Sequence, residues 1–178
     1  MSEITGVNLK RSVKIYGHLD GKTLERATQE IEILFAKDKE APIDLLMASS
    51  GGMCEPVFVF INYFTYGVPA VFRTIAFEEL ASMAIPLFMI GETRCVCPGV
   101  KFFFHPMAKT FGKEASITLG DFDHVKRSLQ DSSVKYNQII TERSGEKCSL
   151  RRIKKLISSE NYVETDELIK LGLVHGIL

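Results

Sequence analysis

Leu80-Ala81-Ser82-Met83 decides how the fold is read. The quartet follows an apolar run at Ala70 to Ala76 and a loop at Phe77 to Ala81, and it opens a second apolar run, Ser82 to Ile90. The first run predicts a strand. The second predicts a buried helix stopped by Gly91, in which Pro86 is tolerated because it sits near the first turn. A serine at such a join has two readings: a helix N-cap, or a hydroxyl held out for chemistry.

Two more strand ends carry polar residues of the same kind. Ile43 to Met47 reads as a buried strand broken by Ser49-Ser50-Gly51-Gly52, and the short strand Phe102-Phe103-Phe104 runs into His105-Pro106. Acyl transfer needs a hydroxyl nucleophile, an imidazole to take its proton, a carboxylate to orient the imidazole, and backbone N–H groups for the oxyanion. Each residue also has a structural reading. His105 alone reads as a strand-end histidine bonded to a carbonyl, and Gly51-Gly52 alone as a strand-to-helix turn.

Further out, Val13 to Gly17 predicts a strand closed by the turn residues Asp20-Gly21-Lys22. Leu24, Ala27, Ile31, Leu34 and Phe35 then recur at helical spacing and predict a helix over Thr23 to Lys37. A helix at Pro56 to Tyr66 ends at Gly67 and Pro69, and Cys95-Val96-Cys97 is a short strand. Leu119 to Arg143 predicts a long polar helix in which Phe122, Val125, Leu129, Val134, Tyr136 and Ile139 interrupt the charges. It is either a solvated surface helix or one that leaves the body to meet another subunit. Helices at Ser149 to Ser158 and Thr165 to Leu171 close the chain. Strands alternating with helices indicate βαβ units and a largely parallel sheet, whose functional loops gather at the carboxyl ends of the strands. The Gly51, Ser82 and His105 segments each follow one such strand.

The chain has 178 residues, 46% of them hydrophobic, enough for one core and one domain over 1–178. Its 22 basic and 22 acidic residues balance, which argues against nucleic acid as a partner. No apolar run reaches the roughly 18 to 20 residues of a membrane span, and MSEITGVNLKRS lacks the apolar core of a secretion signal, so a cytoplasmic protein without a membrane partner is expected. Cys54, Cys95, Cys97 and Cys148 form no paired CxxC pattern. They read as reduced structural residues, with Cys95 and Cys97 the one pair whose alternation on a strand would let them share a metal or oxidise.

From Val13-Lys14-Ile15-Tyr16-Gly17 through Ser49-Ser50-Gly51-Gly52, Ala81-Ser82-Met83 and Phe104-His105-Pro106 to Leu171-Gly172-Leu173-Val174, the chain resembles the proteolytic subunit of the Clp protease. The resemblance implies an α/β fold of Clp/crotonase type, with stacked ββα units and a protruding handle helix at about 119–143. It implies a serine endopeptidase that cleaves unfolded polypeptides or short peptides through an acyl-enzyme, with Ser82 as nucleophile and His105 as general base. The oxyanion hole would be the N–H groups of Gly52 and Met83. Counting back from Gly172-Leu173-Val174 puts the third triad member, an aspartate in the family, on Glu160. No cofactor or metal is implied. The implied partners are copies of the chain in stacked heptameric rings, a peptide substrate, and an AAA+ unfoldase or a paralogous subunit.

The chain departs from the family pattern at Glu160, at Ser50 in place of a proline, and at Ala84 in place of a glycine. Asp44 and Leu46 stand where tyrosines that line the unfoldase pocket are frequent, while Tyr66 keeps an aromatic. These departures leave open an alternative, a weak or inactive ring subunit that pairs with an active paralogue. Crotonase relatives, which build an oxyanion hole from equivalent loops, make coenzyme A the other ligand to weigh.

Overall fold

The computed structural model describes residues 6–109, 118–145 and 147–178. A 3₁₀ turn at Leu9–Arg11 leads into β1 (Ser12–Tyr16), α1 (Gly21–Lys37) and β2 (Ile43–Ser49). Next come α2 (Cys54–Asn62), extended by a π turn at Tyr63–Gly67, then β3 (Phe72–Ala81), α3 (Ala84–Phe88), β4 (Thr93–Val96) and β5 (Lys101–Phe103). The chain closes with α4 (Leu119–Arg143), α5 (Leu150–Ser159), β6 (Tyr162–Glu164), α6 (Thr165–Lys170) and β7 (Gly176–Ile177). The fold is mixed α/β, with β1-β2-β3-β4-β7 forming a parallel path.

Local sequence explains the main elements. Asp20 caps α1 by accepting a 2.8 Å hydrogen bond from the Thr23 N–H, and Leu24, Ala27 and Ile31 bury the helix's apolar stripe. β2 is buried along nearly its whole length, as a parallel strand covered on both faces must be. Most buried side chains form one cluster running from Val13 to Val174. A smaller cluster, Leu46, Ile75 and Cys95, lies in register across β2, β3 and β4 and packs with Val7 and Leu178.

β3 has ten residues and serves two partners. Its first half, Arg73 to Ala76, pairs with β4, while Leu80 and Ala81 pair in parallel with Phe102 and Phe103 of β5. Phe77 to Ala81 is therefore strand rather than the expected loop. Phe77 and Glu78 lie after the last residue paired to β4 and before the first paired to β5, so they are exposed, and their exposure gives the sequence its loop-like look. β6 and β7 are also additions to the sequence reading, being only three and two residues long. Cys95 and Cys97 do not share a face: β4 ends at Val96, Cys95 joins the small cluster and Cys97 packs on the main one.

α4 matches its expected boundaries, and a reciprocal capping box between Thr118 and Asp121 starts it. Its 25 residues span about 37 Å at 1.5 Å per residue. Only Tyr136, Asn137 and Ile140 are buried, all in its last third, while Leu119, Phe122 and Val134 are exposed. α4 is thus anchored at its carboxyl end and leaves the body before it. No helix among the described residues is long and apolar enough to cross a membrane.

Candidate active site

Three loops meet where β2, β3 and β5 end. Ser82 directly follows β3 with φ +51°, a left-handed conformation that costs a non-glycine residue roughly 1–2 kcal/mol. The expected helix from Ser82 to Ile90 is correspondingly shorter: α3 begins at Ala84, so Ser82 is a sharp elbow between strand and helix and not the helical residue expected. Its N–H donates to the Phe103 carbonyl at 3.3 Å, and its own carbonyl accepts from the Ile85 N–H at 3.1 Å. The first bond ties the elbow to the strand that delivers His105 two residues later.

Gly51 packs directly against this elbow, and Gly52 against Leu19. Gly51 has φ +99°, and a Cβ there would stand 2.6 Å from the Ser82 Cβ and 2.8 Å from the Ala81 carbonyl oxygen. At Gly52 a Cβ would meet the Leu19 N at 2.6 Å and run into its carbonyl oxygen. The Leu19 N–H donates to the Gly51 carbonyl at 2.9 Å and the Met53 N–H to the Leu19 carbonyl at 2.8 Å, which clamps the turn. The Gly51 N–H is used by the Ser49 hydroxyl at 3.0 Å. The N–H groups of Gly52 and Met83, by contrast, donate to no described residue. Free donors beside a strained hydroxyl are what an oxyanion requires.

His105 is half-buried and stacks on Phe103, with ring centroids 5.9 Å apart. Its Nδ1 lies 2.8 Å from the Pro106 carbonyl oxygen. A carbonyl only accepts, so Nδ1 is the donor, and in the neutral imidazole this leaves the lone pair on Nε2, the tautomer a general base needs. No hydrogen bond joins His105 to Ser82 among the described residues. Near it, the Cys54 thiol contacts the Met107 sulfur at 3.7 Å, and burial pushes that thiol's pKa up, away from thiolate reactivity.

Glu160 is placed differently from the triad expectation. It caps the end of α5 in a left-handed conformation, φ +48°, with its side chain exposed, and no hydrogen bond or ion pair connects it to His105 among the described residues. A cavity of about 560 Å³ opens on His105 between α4 and α5. Its described lining, which includes Met107, Gln130, Tyr136, Asn137 and Lys154, contains no carboxylate. Among the described residues no group of histidine, cysteine, aspartate and glutamate is arranged to hold a metal.

Sequence reasoning missed Arg94. It is 5% exposed and donates to the carbonyls of Gly91, Leu173, Arg143 and Gly172 at 2.8 to 2.9 Å, which locks the chain's end to β4 and α4. Burial, with Arg143 nearby, lowers its pKa to about 10. An arginine on a short strand is read as exposed, and the carbonyls that hold this one come from three separate places in the chain.

A family model described as Clp protease matches residues 3–178. The ATP-dependent Clp protease proteolytic subunit of Paracoccus denitrificans is 24% identical over 176 residues, covering 98% of this chain and 84% of its own length. The ATP-dependent Clp protease proteolytic subunit 2 of Borreliella burgdorferi is 28% identical over 174 residues, covering 94% of this chain and 82% of its own.

Proposed function

The chain belongs to the Clp protease family, and from that premise we propose that it is a serine endopeptidase whose nucleophile is Ser82 and whose general base is His105. The observation that carries the reading is a strained Ser82 elbow with two amides in the adjoining loops, Gly52 and Met83, that donate to no described residue.

In this mechanism His105 Nε2 takes the proton as Ser82 Oγ bonds to the peptide carbonyl carbon, and the carbonyl oxygen moves onto the Gly52 and Met83 N–H groups. The C–N bond breaks as His105 returns the proton to the leaving amine. Water then attacks the acyl-enzyme with His105 again as base, releasing the carboxylic acid and restoring Ser82. The Pro106 carbonyl supports this sequence by fixing the imidazole tautomer. These steps call on no cofactor.

The relatives' names describe proteolytic subunits of an ATP-dependent protease. By analogy, this chain assembles into stacked rings in the cytoplasm and receives unfolded polypeptide from an AAA+ unfoldase that supplies the ATP dependence. Exposed Leu119, Phe122 and Val134 on a helix that leaves the body support a contact between subunits along α4. Hydrolysis of fluorogenic peptides by the assembled protein tests the reading. Ser82→Ala is expected to remove all activity above background while the particle's mass stays unchanged; activity that survives Ser82→Ala overturns it.

A further inference from the structure

Two residues that line the cavity beside His105 carry a buried polar atom with no hydrogen-bond partner, the Tyr136 hydroxyl and the Asn137 carboxamide oxygen. Asn137, in the last third of α4, is 7% exposed, and its carboxamide oxygen is sealed from solvent without a hydrogen-bond partner. Most buried acceptors are satisfied, and the Asn137 oxygen keeps its lone pairs open to a donor. Asn137 and His105 line the same cavity of about 560 Å³, in which the described residues supply no carboxylate. His105 holds a donor that could be redirected, the Nδ1–H now given to the adjacent Pro106 carbonyl. Glu160, the carboxylate expected from sequence, is exposed at the end of α5.

We propose that Asn137 is the positioning residue of the site: its carboxamide oxygen accepts the His105 Nδ1–H when the imidazole rotates away from Pro106, giving a Ser-His-Asn arrangement. The inference rests on the peptidase reading of Ser82 and His105. An amide serves this role in cysteine peptidases, where it holds the imidazole tautomer without adding charge. The structure favours Asn137 because it is fixed on a helix by burial, whereas Glu160 sits on a free helix end. Other groups facing His105 are few: from α4 the titratable Tyr136, from α5 the charged Lys154.

Two measurements test the pairing. The first is an NMR titration of His105 in protein carrying ¹³C-labelled histidine, assigned with His105→Gln, in which chemistry plays no part. A carboxylate in contact with an imidazole favours the imidazolium, so Asn137→Asp, which is isosteric, is expected to raise the His105 midpoint by about one pH unit, and Glu160→Gln to leave it in place. The second is the rate of fluorophosphonate labelling of Ser82. Asn137→Ala is expected to slow it about a hundredfold and Asn137→Asp to restore it with the acid limb moved to higher pH.

A His105 midpoint unmoved by Asn137→Asp overturns the proposal, as does unchanged labelling in a folded Asn137→Ala protein. Absence of labelling in the wild-type protein overturns the peptidase reading instead, and the titration then decides the pairing by itself.

Discussion

At Gly51 the backbone passes so close to Ser82 that no methyl group fits between them. A Cβ there would lie 2.6 Å from the serine's own, on a residue whose φ of +99° already disfavours any side chain. On the proposed peptidase reading, Gly51→Ala is therefore expected to displace the elbow and slow peptide hydrolysis about a hundredfold, the penalty that about 1 Å of misplacement can carry; rates within twofold of wild type would show that the elbow is not held by this contact. The strand ends that carry Gly52, Ser82 and His105 were legible in the sequence because each stands at the end of an apolar run, where strand geometry leaves few places to go. The placement of Glu160 was not. A count from Gly172 cannot show that α5 stops at Ser159 and turns Glu160 outward through a left-handed cap. Nor can it show that Asn137, one polar residue on a polar helix, is among the three α4 residues that are buried.

Among the elements, β2 and β3 are joined by an ion pair that is the most buried among the described residues. Asp44 and Arg73 are register partners, joined at 2.6 Å, with side chains 4% and 15% exposed, and Asp44 also accepts from the Asn8 N–H at 2.7 Å. Removing one partner of such a pair leaves a buried charge. Asp44→Ala is expected to destabilise the chain by about 3 kcal/mol, which for a chain of this size lowers the melting temperature by roughly 6–12 °C. Replacing both residues with apolar ones should recover much of that loss, and a double variant no more stable than the single would contradict the account. Asp44 and Leu46 are each 3% exposed, so they belong to the sheet's interior, whereas Tyr66, 85% exposed, is available to a partner. Helices α1 and α4 were readable from periodicity and caps. The far half of β3 was not, because its middle residues pair with neither β4 nor β5.

Across the whole molecule, the carboxyl end is fastened by Arg94 and His175. His175 Nδ1 accepts from the Arg94 backbone N–H at 3.2 Å, and its Nε2 lies 2.8 Å from the Arg94 guanidinium. Burial, then Arg94 and Lys147, hold the His175 pKa below its ordinary value of 6.5. A histidine whose folded pKa is depressed contributes stability that is present above the unfolded pKa and lost as pH falls below it. Denaturation midpoints are expected to fall as pH drops from about 7 toward 5, and His175→Asn to flatten that dependence; an unchanged slope in the variant would remove His175 from the account. This closure brings β4, α4 and the last ten residues together, and no local sequence pattern marks it.

The most direct test of the central claim, that Ser82 is an activated nucleophile, is the intact mass of the assembled protein after incubation with a fluorophosphonate. The account predicts one adduct per chain, located on Ser82 and absent from Ser82→Ala. An assembled particle that acquires no adduct, or acquires it equally in Ser82→Ala, would contradict it.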